Sequence, residues 1–184
     1  MRVIAGTAKG HHLKGPERAT TRPATDLVRG AIFAMLEGLA SDWSLVLDLY
    51  SGTGAMGIEA LSRGAGWVDF VDRQRRCCDI IKANLASTKL ADRACVYGIE
   101  AEKVISVLDK EYGIIIMDPP YRNSSIGDII SKIANSKLVG ANTIVVVTHS
   151  IHLTLEPKYF PLSLIKERRH GDSCIAIYHK EVTP

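Results

Sequence analysis

The sequence predicts an α/β protein, built on one mainly parallel sheet with helices on both faces. Three observations predict it. Between residues 45 and 148, short apolar runs alternate with amphipathic stretches of helical period. The runs are continuously apolar rather than alternating, as strands buried on both faces require. Three of them end in an aspartate, Asp48, Asp72 and Asp118, at the carboxyl ends where an open α/β sheet binds its ligand.

Residues 1–6 and 11–14 flank a turn containing Gly and Lys and are expected to form a small hairpin. A helix is expected over 24–40, where Val28, Ile32, Met35, Leu36 and Leu39 form one stripe and Thr25 serves as N-cap. Strands are expected at 45–50, 67–71, 94–97, 112–117, 143–148, 162–166 and 173–179, which makes a seven-stranded sheet. Helices are expected at 55–63, 73–87, 101–108 and 126–133. Crossovers between parallel strands should be right-handed. The organisation is read as an N-terminal extension, residues 1–40, followed by a main domain, residues 41–184.

The bulk numbers suit that plan. The chain has 184 residues, 46% of them hydrophobic and 23% charged, which is enough apolar side chain for one globular core. Net charge is +3 and is unevenly placed. Arg2, Lys9, Lys14, Arg18 and Arg22 face only Glu17 in the first 22 residues, and Lys166, Arg168, Arg169 and His170 cluster near the C-terminus. Each cluster reads either as a solvated face or as a phosphate-contacting surface. The four cysteines form no C-x-x-C pair, and no leader or membrane-spanning run is read, so a reduced, cytoplasmic protein is expected. His149 and His152, placed after the fifth strand, lack a third ligand at metal spacing, so no metal site is expected.

The segment from Asp48 through Gly57, Asp-Leu-Tyr-Ser-Gly-Thr-Gly-Ala-Met-Gly, follows the first strand and opens a helix. Its glycines allow a tight turn and close approach of a ligand. Dinucleotide sites share that pattern, but they place apolar residues where Asp48 stands, since pyrophosphate disfavours a carboxylate. Asp48 suits a cationic amino-acid group instead, which favours S-adenosylmethionine. Asp72 lies 20 residues beyond Gly52, where a carboxylate accepts ribose hydroxyls or caps the next helix. Glu100 either borders an adenine or is a first-turn helix charge. The expected cofactor contacts are Asp48, Tyr50, Ser51, Gly52, Thr53 and Gly54 from the loop, with Asp72, Arg73, Glu100 and Ala101 beyond it.

The tetrapeptide Asp118-Pro119-Pro120-Tyr121 follows the fourth strand. Two prolines fix φ and remove two N–H donors, leaving a stiff loop with outward carbonyls. Asp118 and the Pro119 carbonyl can both accept from one exocyclic NH2, and Tyr121 offers a face for base stacking. An aromatic amine is a poor nucleophile because its lone pair is delocalised. Two fixed acceptors favour the pyramidal amine and aim its lone pair at a sulfonium methyl. The four residues are therefore the expected catalytic set.

Taken together, these motifs resemble the RsmD-type 16S rRNA (guanine-N2) methyltransferases. The likeness runs through Met1-Arg2-Val3-Ile4-Ala5-Gly6, Arg22-Pro23-Ala24-Thr25-Asp26-Leu27-Val28-Arg29, the glycine loop, Asp118 to Tyr121, and Arg169-His170-Gly171-Asp172-Ser173. The sequence departs from the family at Leu27, usually Arg, and at Gly30, usually Glu. The resemblance implies a class I S-adenosylmethionine-dependent methyltransferase fold. It implies methylation of the N2 amine of a guanine in 16S rRNA within the small ribosomal subunit. Separately, no membrane partner and a monomer are expected. Expected RNA contacts are Arg2, Lys9, His11, Lys14, Arg22, Asp26 and Arg29. The rival readings are a DNA adenine-N6 or other amino-methyltransferase, an RNA-binding module with a decayed site, and a NAD-dependent dehydrogenase.

Overall fold

The computed structural model describes residues 1–15, 26–120 and 125–180. In chain order the elements are α1 (Asp26–Leu39), β1 (Leu45–Leu49), α2 (Ala55–Ser62), β2 (Trp67–Val71), α3 (Arg75–Thr88), β3 (Ala94–Tyr97) and α4 (Ala101–Val107). They continue with β4 (Tyr112–Met117), α5 (Ile126–Ala134), β5 (Val139–Ser150), β6 (Lys158–Tyr159), β7 (Leu162–His170) and β8 (Ser173–Lys180). One sheet contains every strand, in the order β3-β2-β1-β4-β5-β8-β7-β6. The pairings from β3 to β5 are parallel and those from β5 to β6 antiparallel.

Among the described residues the sheet has eight strands rather than seven. The extra one, β6, is two residues long and too short for any periodicity to reveal. Tertiary contacts make it: the Tyr159 ring meets Tyr178 edge-on at 5.6 Å, and the Tyr178 hydroxyl donates to the Glu156 carbonyl at 2.9 Å. β5 is longer than expected, so His149 lies within it rather than after it. α3 begins at Arg75, which leaves Arg73 ahead of the helix. The expected cap at Thr25 lies outside the described residues.

Apolar side chains fill both faces of the sheet. On one face Ile114, Ile116, Ile144, Val146, Ile175 and Ile177 pack with α1, α2 and α3; on the other Leu47, Ile115, Val145 and Val147 pack with α4 and α5. Every residue of α2 is buried. A Cβ on Gly57 would sit 2.3 Å from the Phe70 ring, so this glycine lets α2 lie close on β2.

The N-terminal arm is a minimal hairpin. A bridge joins Arg2 and His12, and Val3, Ala8 and Leu13 enter the same apolar cluster as α1 and α2. The arm covers the C-terminal end of α2, where carbonyls lack helical partners. Thr7 N–H donates to the Ser62 carbonyl at 2.8 Å, and Ala8 N–H donates to the Ser62 hydroxyl at 2.9 Å. Gly6, at φ 80°, is required there: a Cβ would lie 1.8 Å from the Ser62 carbonyl oxygen. Glu59, fully buried, accepts from Ile4 N–H at 2.7 Å and Ala5 N–H at 3.0 Å, and pairs with Arg63 at 2.8 Å. At the far end of the arm, Asn84 of α3 accepts from Lys14 N–H at 2.8 Å and donates to the Lys14 and Thr53 carbonyls.

Candidate functional site

β1 and β4 are neighbours in parallel register, Asp48 beside Ile116 and Leu49 beside Met117. Their carboxyl ends therefore lie together, and Asp118 N–H donates to the Leu49 carbonyl at 3.4 Å. β2 flanks β1 on the other side and brings Asp72 to the same end. The three strand-end aspartates thus converge, closely enough that Asp118 and Asp72 both act on the charge of Asp48.

The loop between β1 and α2 is held in an unusual backbone shape. Tyr50, Gly52 and Gly54 have φ of 61°, 55° and 78°. A left-handed tyrosine is strained, by about 1–3 kcal/mol, and such strain persists where surrounding structure imposes it. Ser51 imposes it here. Its hydroxyl donates to the Asp48 carbonyl at 2.6 Å and accepts from Val71 N–H at 2.9 Å, stapling the loop to β2. The Ser51 side chain is therefore a buried part of the loop's framework. Thr53 is also buried, with its carbonyl held by Asn84 at 2.9 Å.

Asp48 is buried, and one of its oxygens accepts from Gly57 N–H at 2.9 Å, in the first turn of α2. Among the described residues nothing donates to the other. Burial pushes the carboxyl up to about 8; the Gly57 N–H opposes the shift, and Asp118 and Asp72 add to it. Asp72 accepts from Gly52 N–H at 3.0 Å through one oxygen and from Gln74 N–H at 2.8 Å through the other. It thus ties the glycine loop to the start of α3, while Gln74 occupies the cap position itself. Each oxygen retains a second lone pair.

Glu100 is the N-cap residue of α4 and pairs with Lys103 at 3.2 Å; Ala101, buried, is the first residue of that helix. Arg73, Gln74, Gly98, Ile99, Glu100 and Lys103 line an open depression of about 430 Å³ beyond Asp72. The expected cofactor residues are thus distributed along one edge of the sheet, from the glycine loop to α4.

Asp118 is partly exposed, Pro119 buried and Pro120 exposed. The Thr148 hydroxyl, at the end of β5, donates to Asp118 Oδ1. Desolvation raises the Asp118 pKa and the Thr148 hydrogen bond lowers it. Tyr121 lies outside the described residues. Thr148 did not stand out in the sequence, because a threonine ending a β-branched run reads as ordinary strand.

The expected RNA contacts divide. Arg2, Lys9, His11 and Lys14 are exposed along the arm. Arg22 lies outside the described residues. Arg29 is a correction: its side chain is 1% exposed and faces inward, donating to the Arg2 carbonyl, pairing with Asp26 at 3.1 Å and approaching Glu59 at 3.8 Å. Its role is to link arm, α1 and α2, because the charge of Glu59 draws it into the core. Asp26 is exposed but engaged with Arg29. Leu27 is 73% exposed on α1, an apolar side chain in solvent.

Known proteins resemble this chain over nearly its whole length. The family model described as "Conserved hypothetical protein 95" matches residues 1–179. "Putative rRNA methyltransferase YlbH" of Bacillus subtilis is 35% identical over 183 residues, covering 98% of this chain and 99% of that protein. "Ribosomal RNA small subunit methyltransferase D" of Escherichia coli is 28% identical over 181 residues, covering 98% of this chain and 90% of that protein. Among solved structures, "Putative methyltransferase yhhF" from Escherichia coli superposes with a TM-score of 0.87 at 27% identity, covering 100% of this chain and 99% of the other. The chain has the class I methyltransferase fold and belongs to the conserved hypothetical protein 95 family, the RsmD-type methyltransferases.

Proposed function

We propose that this protein transfers a methyl group from S-adenosylmethionine to the exocyclic N2 amine of a guanine in 16S rRNA of the small ribosomal subunit. The observation that carries the reading is the convergence of Asp48 and Asp118 at adjacent strand ends, one buried and the other opening onto the Asp-Pro-Pro turn. Family membership supports it, since relatives are named as ribosomal RNA methyltransferases.

The residues fit the cofactor. Asp48 is a buried carboxylate with one oxygen that no described residue supplies with a donor, and a cationic α-amino group beside it would favour its ionised form. Asp72 has lone pairs left for ribose hydroxyls, and the depression lined by Arg73 and Glu100 extends from it. When bound, the cofactor supplies an electrophilic methyl on a sulfonium. Asp118 accepts from the amine and, with the Pro119 carbonyl, holds it for in-line attack. The raised affinity of Asp118 for a proton suits it to take the one that the amine gives up. Arg2, Lys9, His11 and Lys14 make residues 1–40 the extension that holds RNA.

Asp48 sets a pH dependence. Its value of about 8 lies above the ordinary 3.8, so the unliganded protein holds a proton there at neutral pH. Its contribution to folding stability is full below pH 3.8 and is lost as pH rises through about 8. Cofactor binding reverses the preference and expels that proton. Affinity should therefore rise by up to about tenfold per pH unit on approaching that value from the acid side, with about one proton released per cofactor bound. Calorimetry in buffers of different ionisation enthalpy reads both quantities, and Asp48→Asn should flatten the dependence. Proton-neutral binding near pH 6.5, at about one unit or more below the shifted value, would count against the pairing.

The activity itself is tested by treating small ribosomal subunits from a strain lacking the gene with labelled S-adenosylmethionine. Mass spectrometry of RNA digests should find the label on guanine N2 of 16S rRNA. Label on another base, on DNA adenine, or on no nucleic acid overturns the assignment.

A further inference from the structure

The second basic cluster, near the C-terminus, is divided by the sheet. β7 runs antiparallel to β8, which runs antiparallel to β5, so β7 points the same way as β5 and β4. The carboxyl end of β7 therefore lies at the same edge of the sheet as Asp118. Register then aligns the residues in rows. Arg168 pairs with Ile175, which pairs with Thr148, whose hydroxyl holds Asp118. Lys166 pairs with Ile177 and that with Val146; His170 pairs with Ser173 and that with Ser150.

Strand alternation puts Lys166, Arg168 and His170 on the sheet face of Thr148. Their β8 partners Ile175 and Ile177 share a core cluster with Ile144 and Val146, which places these residues on one face. Glu167 points to the opposite face, where it meets His149 at 3.3 Å. Arg169 points there too, opposite Cys174, which pairs with His149. Turning Glu167 away leaves the rows of Lys166, Arg168 and His170 free of carboxylates on β7 and β8. Neither Lys166 nor Arg168 has an ion-pair partner among the described residues, and Arg168 is exposed. Arg168 is two strand spacings, about 10 Å, from Thr148. Asp118, following β4, lies one spacing further, about 15 Å from Arg168, a gap that an arginine side chain and one or two nucleotides of the strand presenting the base can bridge.

We infer that Lys166, Arg168 and His170 form a phosphate-binding strip for the RNA strand that presents the target base. The inference rests on the proposed reading of Asp118 as the site of amine attack. The strip fixes the backbone beside the site, while the N-terminal arm holds RNA elsewhere. Backbone contact of this kind positions the strand without reading its sequence.

The test is binding of the full-length protein to unmethylated small ribosomal subunits over a series of KCl concentrations. The Lys166→Ala/Arg168→Ala variant is expected to bind about tenfold more weakly near 0.15 M salt. The slope of log affinity against log salt should fall in magnitude by about 1.4, for two single-strand phosphate contacts. Arg169→Ala should stay within about twofold of wild type with its slope unchanged, because it faces away. Cofactor affinity should hold in the double variant, since neither residue touches the glycine loop or Asp48. Wild-type affinity and slope in the double variant overturn the strip, as does an equal loss from Arg169→Ala. A wild-type protein that binds subunits but transfers no methyl sinks the activity instead, and the salt slope still decides the strip.

Discussion

Replacing Asp118 with alanine is expected to lower the rate of methyl transfer by about 10²–10³-fold, the usual loss when one preorganised hydrogen-bonding group aimed at the reacting atoms is removed. The substitution removes an acceptor for the amine and leaves the Thr148 hydroxyl without its partner. Cofactor affinity should be preserved or slightly improved, because Asp118 opposes ionisation of Asp48. The two effects separate the roles: a loss in the rate at saturation with cofactor binding intact marks Asp118 as acting on the acceptor amine. Single-turnover rates with saturating subunits, beside calorimetry with S-adenosylmethionine, make the measurement. An alanine variant that keeps more than about a tenth of the wild-type rate would falsify the acceptor role. Thr148→Val should give a smaller loss in the same parameter, with Thr148→Ser restoring it, since the hydroxyl orients the carboxylate without touching the base.

Glu59→Ala carries the largest expected effect on stability. Glu59 is fully buried and holds Ile4 N–H, Ala5 N–H and Arg63, with Arg29 close by. Alanine leaves the Ile4 and Ala5 N–H groups and Arg63 Nε without their acceptor and removes the negative charge beside buried Arg29. Breaking a buried ion pair from one side typically costs about 3–5 kcal/mol. For a chain of this size that lowers the melting temperature by roughly 10 °C. The loss should begin locally: trypsin should cut after Lys9 and Lys14 under native conditions, before global unfolding. Glu59→Gln, which keeps one acceptor oxygen, should fall between. A melting temperature for Glu59→Ala within about 2 °C of wild type would show that the arm is held by its apolar contacts alone.

The arm shows where sequence reasoning stopped. Its charges were legible, and Arg2, Lys9, His11 and Lys14 lie on the surface. Its attachment was not. Glu59 and Ser62 sit in a short helix whose polar residues carry no mark of what they hold, since their partners are backbone groups over 50 residues away. An acidic residue inside a stretch that is otherwise small and apolar was the available signal. The inward orientation of Arg29 is hidden from the sequence for the same reason. An arginine three residues after an aspartate on a helix looks solvated, and only packing against α2 turns it inward.

Local order and chemistry were written along the chain. Continuous apolar runs set the parallel strands, the glycine spacing set the loop after β1, and Asp-Pro-Pro stiffened the turn after β4, all through interactions a few residues long. Tertiary structure decided which of those groups meet. Strand order brought the ends of β1 and β4, with Asp48 and Asp118, together, β5 supplied Thr148, and β6 pairs with β7 where Tyr159 packs on Tyr178. The alternation of β7 sent Glu167 to one face and left Arg168 on the other. Those outcomes depend on register and burial between distant segments. A pattern read along one strand cannot contain them, because the partner that sets each orientation lies elsewhere in the chain.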